Sequence, residues 1–167
     1  MKHAAKVALI LALSFVTHPA FGWIEKGIIT VETWNISCTD ELRCMATQDI
    51  PDAVRKNVWV RVALFLTNEG GASLSLRFPF HEKISRIVIL ETDDTHLGVL
   101  RITCSLQYCH ASKQLKLRDI LRFNMTSLLT ARYVIDGETI ELPILMEGVG
   151  KALTILSEQA TAHAQKE

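Results

Sequence analysis

Apolar and polar residues alternate with a period of two along most of this chain, and Val58 to Leu66 shows it best. Val58, Val60, Val62, Leu64 and Leu66 fall on one side of an extended backbone, and Trp59, Arg61, Ala63 and Phe65 on the other. Successive side chains of a strand point to opposite faces, so this run predicts a strand with one face in a core. Ile28 to Ser37 alternates around Trp34 and Ile36, and Met45 to Ile50 repeats the pattern until Pro51 ends it. Asn68-Glu69-Gly70-Gly71 supplies the positive φ of a tight turn, with Ala72 to Phe78 as the returning strand. Ile84 to Leu90 and Leu97 to Cys104, joined by the polar segment Glu91 to His96, read as two more strands, and Tyr108 to Lys113 as a further short one. Leu128 to Ile135, the Asp136-Gly137 turn and Glu138 to Leu145 form a hairpin.

The period changes twice. Leu117, Ile120, Leu121 and Asn124 recur at three and four, predicting one short helix within Leu115 to Met125 across an open end of the sheets. Gly150 to Ala160 reads as a C-terminal helix with Leu153, Leu156 and Ala160 on one face. About eight short strands with regularly spaced turns predict an antiparallel β-sandwich. No internal repeat or linker interrupts it, so residues 23–167 read as one domain.

Composition narrows the function classes. Of 167 residues, 18 are Lys or Arg, 18 Asp or Glu, 49% apolar and only 12 Gly or Pro, which excludes a disordered or collagenous chain. A balanced charge with no basic run also argues against gripping nucleic acid, which needs a basic face.

Residues 1–22 read as a secretory signal peptide. Lys2 and Lys6 give a positive start, Val7 to Val16 is an apolar run, and Ala20 and Gly22 stand at the minus three and minus one positions of a cleavage before Trp23. The run is about half of the ~20 residues that a membrane-spanning helix needs, and no second run of spanning length follows, so the expectation is a soluble exported protein without a transmembrane segment. The mature chain would carry 16 basic and 18 acidic residues, a net charge of −2.

Export makes disulfides the default for Cys38, Cys44, Cys104 and Cys109. Three connectivities are open. Local pairing, Cys38 with Cys44 and Cys104 with Cys109, is favoured because each pair flanks a short polar segment suited to a hairpin turn. Loops this short stabilise by roughly 2 kcal/mol each in the chain-entropy treatment, a fraction of a typical net stability of ~5–15 kcal/mol.

Several patterns imitate chemistry. Cys104 and Cys109 followed by His110 resemble a stretched c-type haem attachment site, but strand flanks and a closed turn leave no room to wind around a porphyrin. The two cysteine pairs could supply four thiolates to zinc, although their spacing is loose and an oxidising compartment favours disulfides. Neither pair has the two-residue spacing at a helix N-terminus that lowers a thiol pKa. Glu91, Asp93, Asp94 and His96 could hold a divalent cation, but such a cluster is more often a solvated turn. His81-Glu82 lacks the second histidine of a zinc-protease helix, and neither a Gly-x-Ser-x-Gly elbow nor a phosphate-binding glycine loop occurs. No catalytic, cofactor or metal residues are therefore assigned. Trp34 and Trp59 read as core tryptophans near a disulfide, with ligand binding as the alternative and Trp23 exposed at the new terminus. Asn35-Ile-Ser37 and Asn124-Met-Thr126 match the glycan acceptor pattern, which matters only in a eukaryotic secretory route.

Taken together, Trp34 with Cys38, Cys44-Met-Ala-Thr-Gln48, the Phe78-Pro79 break, Cys104 and Cys109-His-Ala111, Leu117 to Met125 and Pro143 to Gly148 resemble the invasion-associated locus B family of alphaproteobacteria over about Ile28 to Leu156. The resemblance implies an immunoglobulin-like β-sandwich exported to the periplasm or outer membrane, non-enzymatic, and in some pathogens linked to invasion of host cells. The chain departs from the family pattern in a short first cysteine loop, in Tyr108 where a glycine is expected, and in Val149 after Gly148 where an aromatic is common. The leading expectation is an envelope-associated binding protein that presents loops or a strand edge to an unidentified protein or envelope partner. The alternatives are a periplasmic redox, haem or metal-binding protein built on Cys104, Cys109 and His110, and a small-molecule carrier with a cavity inside the sandwich.

Overall fold

The structure, a computed structural model, describes residues 28–39, 44–52, 55, 58–67, 71–93 and 95–164. Residues 1–22, read above as a signal peptide, Trp23, the expected turn at Asn68-Glu69-Gly70 and Asp94 lie outside the described residues.

Two antiparallel sheets face each other across one apolar core. The larger, among the described residues, has seven strands in the order β1 (Ile29–Val31), β2 (Trp34–Cys38), β3 (Cys44–Pro51), β4 (Trp59–Leu66), β5 (Ala72–Pro79), β9 (Tyr108–Leu115) and β8 (Thr103–Cys104). The smaller has the order β11 (Glu138–Leu145), β10 (Leu128–Ile135), β6 (Ile87–Thr92) and β7 (Thr95–Arg101). Among the described residues two helices, α1 (Leu117–Met125) and α2 (Val149–Ala164), accompany the β-sandwich.

The period-two parity decides which way each strand faces. Val60, Val62 and Leu64 are fully buried, while Trp59, Arg61 and Phe65 face water. Trp34 and Ile36 on β2, Leu74, Leu76 and Phe78 on β5, and Cys109 and Ala111 on β9 join the same core. The smaller sheet contributes Val88, Leu90, Leu129, Ala131, Tyr133, Ile140, Leu142 and Ile144. Four strands cannot cover seven. β11 lies over β3 and β7 over β9, while α2 packs Val149, Ala152, Leu153 and Leu156 against β1, β2, β3 and β4. Among the described residues the inner face of the larger sheet is thus covered, and outer-face side chains such as Trp59, Arg61 and Phe65 stay exposed.

Local chemistry explains the turns. Asp136 and Gly137 both adopt positive φ, 53° and 85°, and join Ile135 to its partner Glu138. Two left-handed residues give a turn whose twist matches that of the strands. Gly148, at φ 80°, ends β11 beneath the β1–β2 turn, where an added Cβ would meet Glu32 Cγ at 2.9 Å and the Val31 carbonyl at 3.1 Å.

Several predicted boundaries are corrected. Ile28 to Ser37 is two strands, because Glu32 takes φ 52° and folds Val31 back onto Trp34. Leu97 to Cys104 divides at Ile102: its N–H donates to the Arg86 carbonyl at 2.8 Å, and the chain crosses from the smaller sheet to the larger there. β6 starts at Ile87, with Ile84 only bridging Ile135. Strand β9 runs on to Leu115, so α1 begins at Leu117, where the Lys116 N–H donates to Asp119 at 3.1 Å. The buried side of α1 is Asp119 and Phe123 with Ile120 half-buried, whereas Leu121 is 54% exposed and Asn124 faces solvent. Ala160 on α2 is likewise exposed.

One buried polar cluster sits between the sheets. Asp52, its carboxylate out of contact with water, receives the Arg55 guanidinium at 2.6 and 2.9 Å and the Arg55 N–H at 3.0 Å. Tyr133, whose ring meets Phe78 edge-on at 4.8 Å, lies nearby; burial first and the Asp52 charge second push its hydroxyl up to about 12. A phenol with a raised folded pKa leaves stability intact below the unfolded value of 10.0 and loses it as pH climbs from there through about 12. Tyr133→Phe is accordingly expected to unfold much like the parent at pH 7 but to hold its melting temperature better between pH 10 and 12. Parallel alkaline loss in both proteins would refute this.

Candidate functional site

The cysteines are direct cross-strand partners. Cys38 opposes Cys44 between β2 and β3, and Cys104 opposes Cys109 between β8 and β9. Both pairs are bonded, with S–S distances of 2.05 and 2.02 Å. The free sulfurs that haem attachment or zinc ligation would require are thus joined to each other. Strand parity also separates the three residues of the haem-like segment: Cys109 turns into the core and His110 to the outer face.

Of the other candidates, Glu91, His96 and His81 are engaged in structural pairs. Glu91 gives one carboxylate oxygen to Arg132 at 2.9 Å and the other to His96 at 3.4 Å. His81 and Lys83 both reach Asp136 at 3.3 Å, tying the β5–β6 connection to the β10–β11 turn. Among the described residues no three metal-ligating side chains converge. Asn35 accepts a hydrogen bond from Thr30 at 3.0 Å. Trp34 is core, but Trp59 is not: it is 56% exposed, because its position on β4 shares parity with Arg61 rather than with the valines.

That exposed tryptophan opens onto a groove among the described residues. An open groove of about 670 Å³ runs across the outer face of the larger sheet, lined by Asp49, Trp59, Arg61, Arg77, Pro79, Gln107 and Tyr108 and passing over the buried Phe78. Register builds it. Asp49, Arg61, Arg77 and His110 form one cross-strand row over β3, β4, β5 and β9, and Tyr108 opposes Pro79 in the next. Arg61 donates to both Asp49 oxygens at 2.7 and 2.8 Å, and these hydrogen bonds hold the Asp49 carboxyl below its usual range and raise the Arg61 pKa. The Arg77 guanidinium lies over the Tyr108 ring, 3.8 Å from its centroid. At the rim the disulfide-closed turn presents Leu106, 94% exposed, and Phe80 is also uncovered. Ser105 holds this turn, accepting the Gln107 and Tyr108 N–H groups at 3.3 Å.

The sequence assigned none of these residues to a site, with ligand binding only the alternative for Trp59, although it had placed Trp59 and Arg61 together on the face away from the valines. Which residues of β5 and β9 join them depends on pairing between distant segments. The arrangement presents planar rings, a closed ion pair and a guanidinium held flat, which are the means of recognition rather than of bond-breaking.

A family model described as "Invasion associated locus B (IalB) protein" matches residues 34–157. Among solved structures, a crystal structure of invasion associated protein B from Bartonella henselae superposes with a TM-score of 0.63 at 21% identity, covering 84% of this chain and 99% of that one. No curated protein matches the sequence.

Proposed function

This chain belongs to the invasion associated locus B family, and on that premise we propose that it is an exported, envelope-associated binding protein that engages its partner through the outer face of its larger sheet and performs no catalysis. The observation that carries this reading is the groove, where Trp59, Tyr108, Arg61 and Arg77 gather on an open face. Trp, Tyr and Arg are the residue types that dominate binding energy at protein surfaces. Two disulfides suit a protein that works in an oxidising compartment.

The sheet face is favoured over strand edges. β1 has three residues and β8 two. Along β11, Pro143 has no N–H to give, and the Leu145 N–H and carbonyl are taken by Gln48 at 3.1 and 3.2 Å. The ladder between β6 and edge strand β7 shifts register at Leu90/Glu91, opposite Gly98 at φ 136° on β7. Short, bulged or proline-bearing edges resist strand addition.

Export predicts that protein taken from its native envelope starts at Trp23 and has no reactive thiol. Intact mass before and after reduction, with thiol labelling, measures both at once, and an intact residue 1–22 segment with four reactive thiols would sink the proposal. A photo-crosslinker replacing Trp59 is expected to capture an envelope component, whereas one replacing Val99, 56% exposed on the opposite sheet, is not. The reverse pattern would move the binding face. A contribution to host-cell invasion belongs to the same proposal and predicts that Trp59→Ala fails to restore invasion in a deletion strain.

A further inference from the structure

Arg77 is the uncompensated charge in the groove. Its row neighbour Arg61 is locked to Asp49, the next neighbour is His110, and among the described residues no carboxylate pairs with Arg77. Stacking on Tyr108 fixes the plane of its guanidinium and leaves the N–H edge available. A guanidinium held flat suits two parallel hydrogen bonds to a carboxylate. One strand away, Trp59 offers an uncovered ring, at a lateral spacing of about 4.8 Å per strand. Gln107, on the rim, carries both a donor and an acceptor.

We infer that this groove is a saccharide subsite selective for a carboxylated sugar, with the ring stacked on Trp59, the carboxylate on Arg77 and ring hydroxyls on Gln107. The inference rests on the binding-face reading and deepens it. Charge complementarity selects an acidic ligand, since Asp49 is neutralised and Arg77 is not. The exposed Trp59 ring selects a sugar: its flat indole face matches the C–H face of a pyranose, and the Gln107 amide can serve hydroxyls as both donor and acceptor.

The test titrates the protein with the galacturonate trimer and with its methyl ester, following backbone amide shifts of groove residues by NMR. The parent is expected to bind the acid saturably and the ester about tenfold more weakly. Arg77→Gln should bring the two ligands to within about twofold of each other, and Trp59→Ala should weaken both by about tenfold or more, with amide spectra elsewhere unchanged. No saturable shift with the acid, equal affinity for acid and ester, or tighter binding of a glutamate-rich peptide each overturns the inference. If the saccharide fails while the crosslinker at position 59 still captures its target, the binding face stands and only the ligand class falls. If both fail, the face falls with it.

Discussion

Phe78→Ala is expected to lower the unfolding free energy by about 3–5 kcal/mol, the range for truncating a fully buried phenylalanine. Phe78 projects from β5 into the core with no exposed surface, and its ring meets Tyr133 of the smaller sheet edge-on at 4.8 Å. The residue therefore joins two sheets that share no backbone ladder, and the cavity left by alanine would be walled by strands that cannot move together without breaking their pairings. Against a typical total of ~5–15 kcal/mol, much of the stability would go. Urea unfolding of Phe78→Ala beside Phe78→Leu measures this: the leucine variant, which keeps most of the volume, should lose clearly less. A loss below about 1 kcal/mol in the alanine variant would mean that the sheets close over the gap.

The second large effect is expected at Gln48, a polar side chain only 6% exposed between β3 and β11. Its amide donates to the Thr33 hydroxyl at 2.7 Å and the Leu145 carbonyl at 3.2 Å, and its oxygen accepts the Leu145 N–H at 3.1 Å. One side chain thus serves the open edge of the smaller sheet in place of another strand. Gln48→Leu keeps the bulk and strands these partners, for an expected loss of about 2–4 kcal/mol, since each buried group left unpaired costs ~1–3 kcal/mol. Gln48→Glu separates hydrogen bonding from volume. Its carboxylate would face the Leu145 and Thr33 carbonyls, so its folded pKa would rise, and stability would be recovered as pH falls through that pKa and a proton restores the donor. A pH-independent deficit in Gln48→Glu would show that packing, not donation, is what Gln48 supplies.

Gln48 also shows how far a sequence can be read. The motif Cys44-Met-Ala-Thr-Gln48 is visible as a pattern, and the alternation through Met45 to Ile50 places Ala46, Gln48 and Ile50 on one side. Nothing local says that the glutamine will meet Leu145, nearly a hundred positions away, because that contact exists only once the two sheets are stacked. Trp59 teaches the same lesson. Its parity with Arg61 was legible, yet placing both tryptophans in the core by analogy with other sandwiches overrode that parity, and the structure follows the parity. The missed turn at Glu32–Thr33 has a different cause: it carries no glycine, asparagine or proline, so no local signal marks the fold-back. The face of α1 was misjudged because Leu121 looks like core by type, while the helix is rolled to bury Phe123 and Asp119 by its packing on β9 and α2.

Taken alone, the sequence determined the strand content, the outward face of β4, the Asp136-Gly137 hairpin and the family, because side-chain alternation and turn chemistry follow from covalent geometry within a few residues. Only the tertiary structure decided that Arg77 rests on Tyr108 beside Trp59, and that Gln48 closes the edge of β11. Those neighbours are set by the order and register of strands far apart in the chain, and that choice is made by the burial of the whole core rather than by any segment of it.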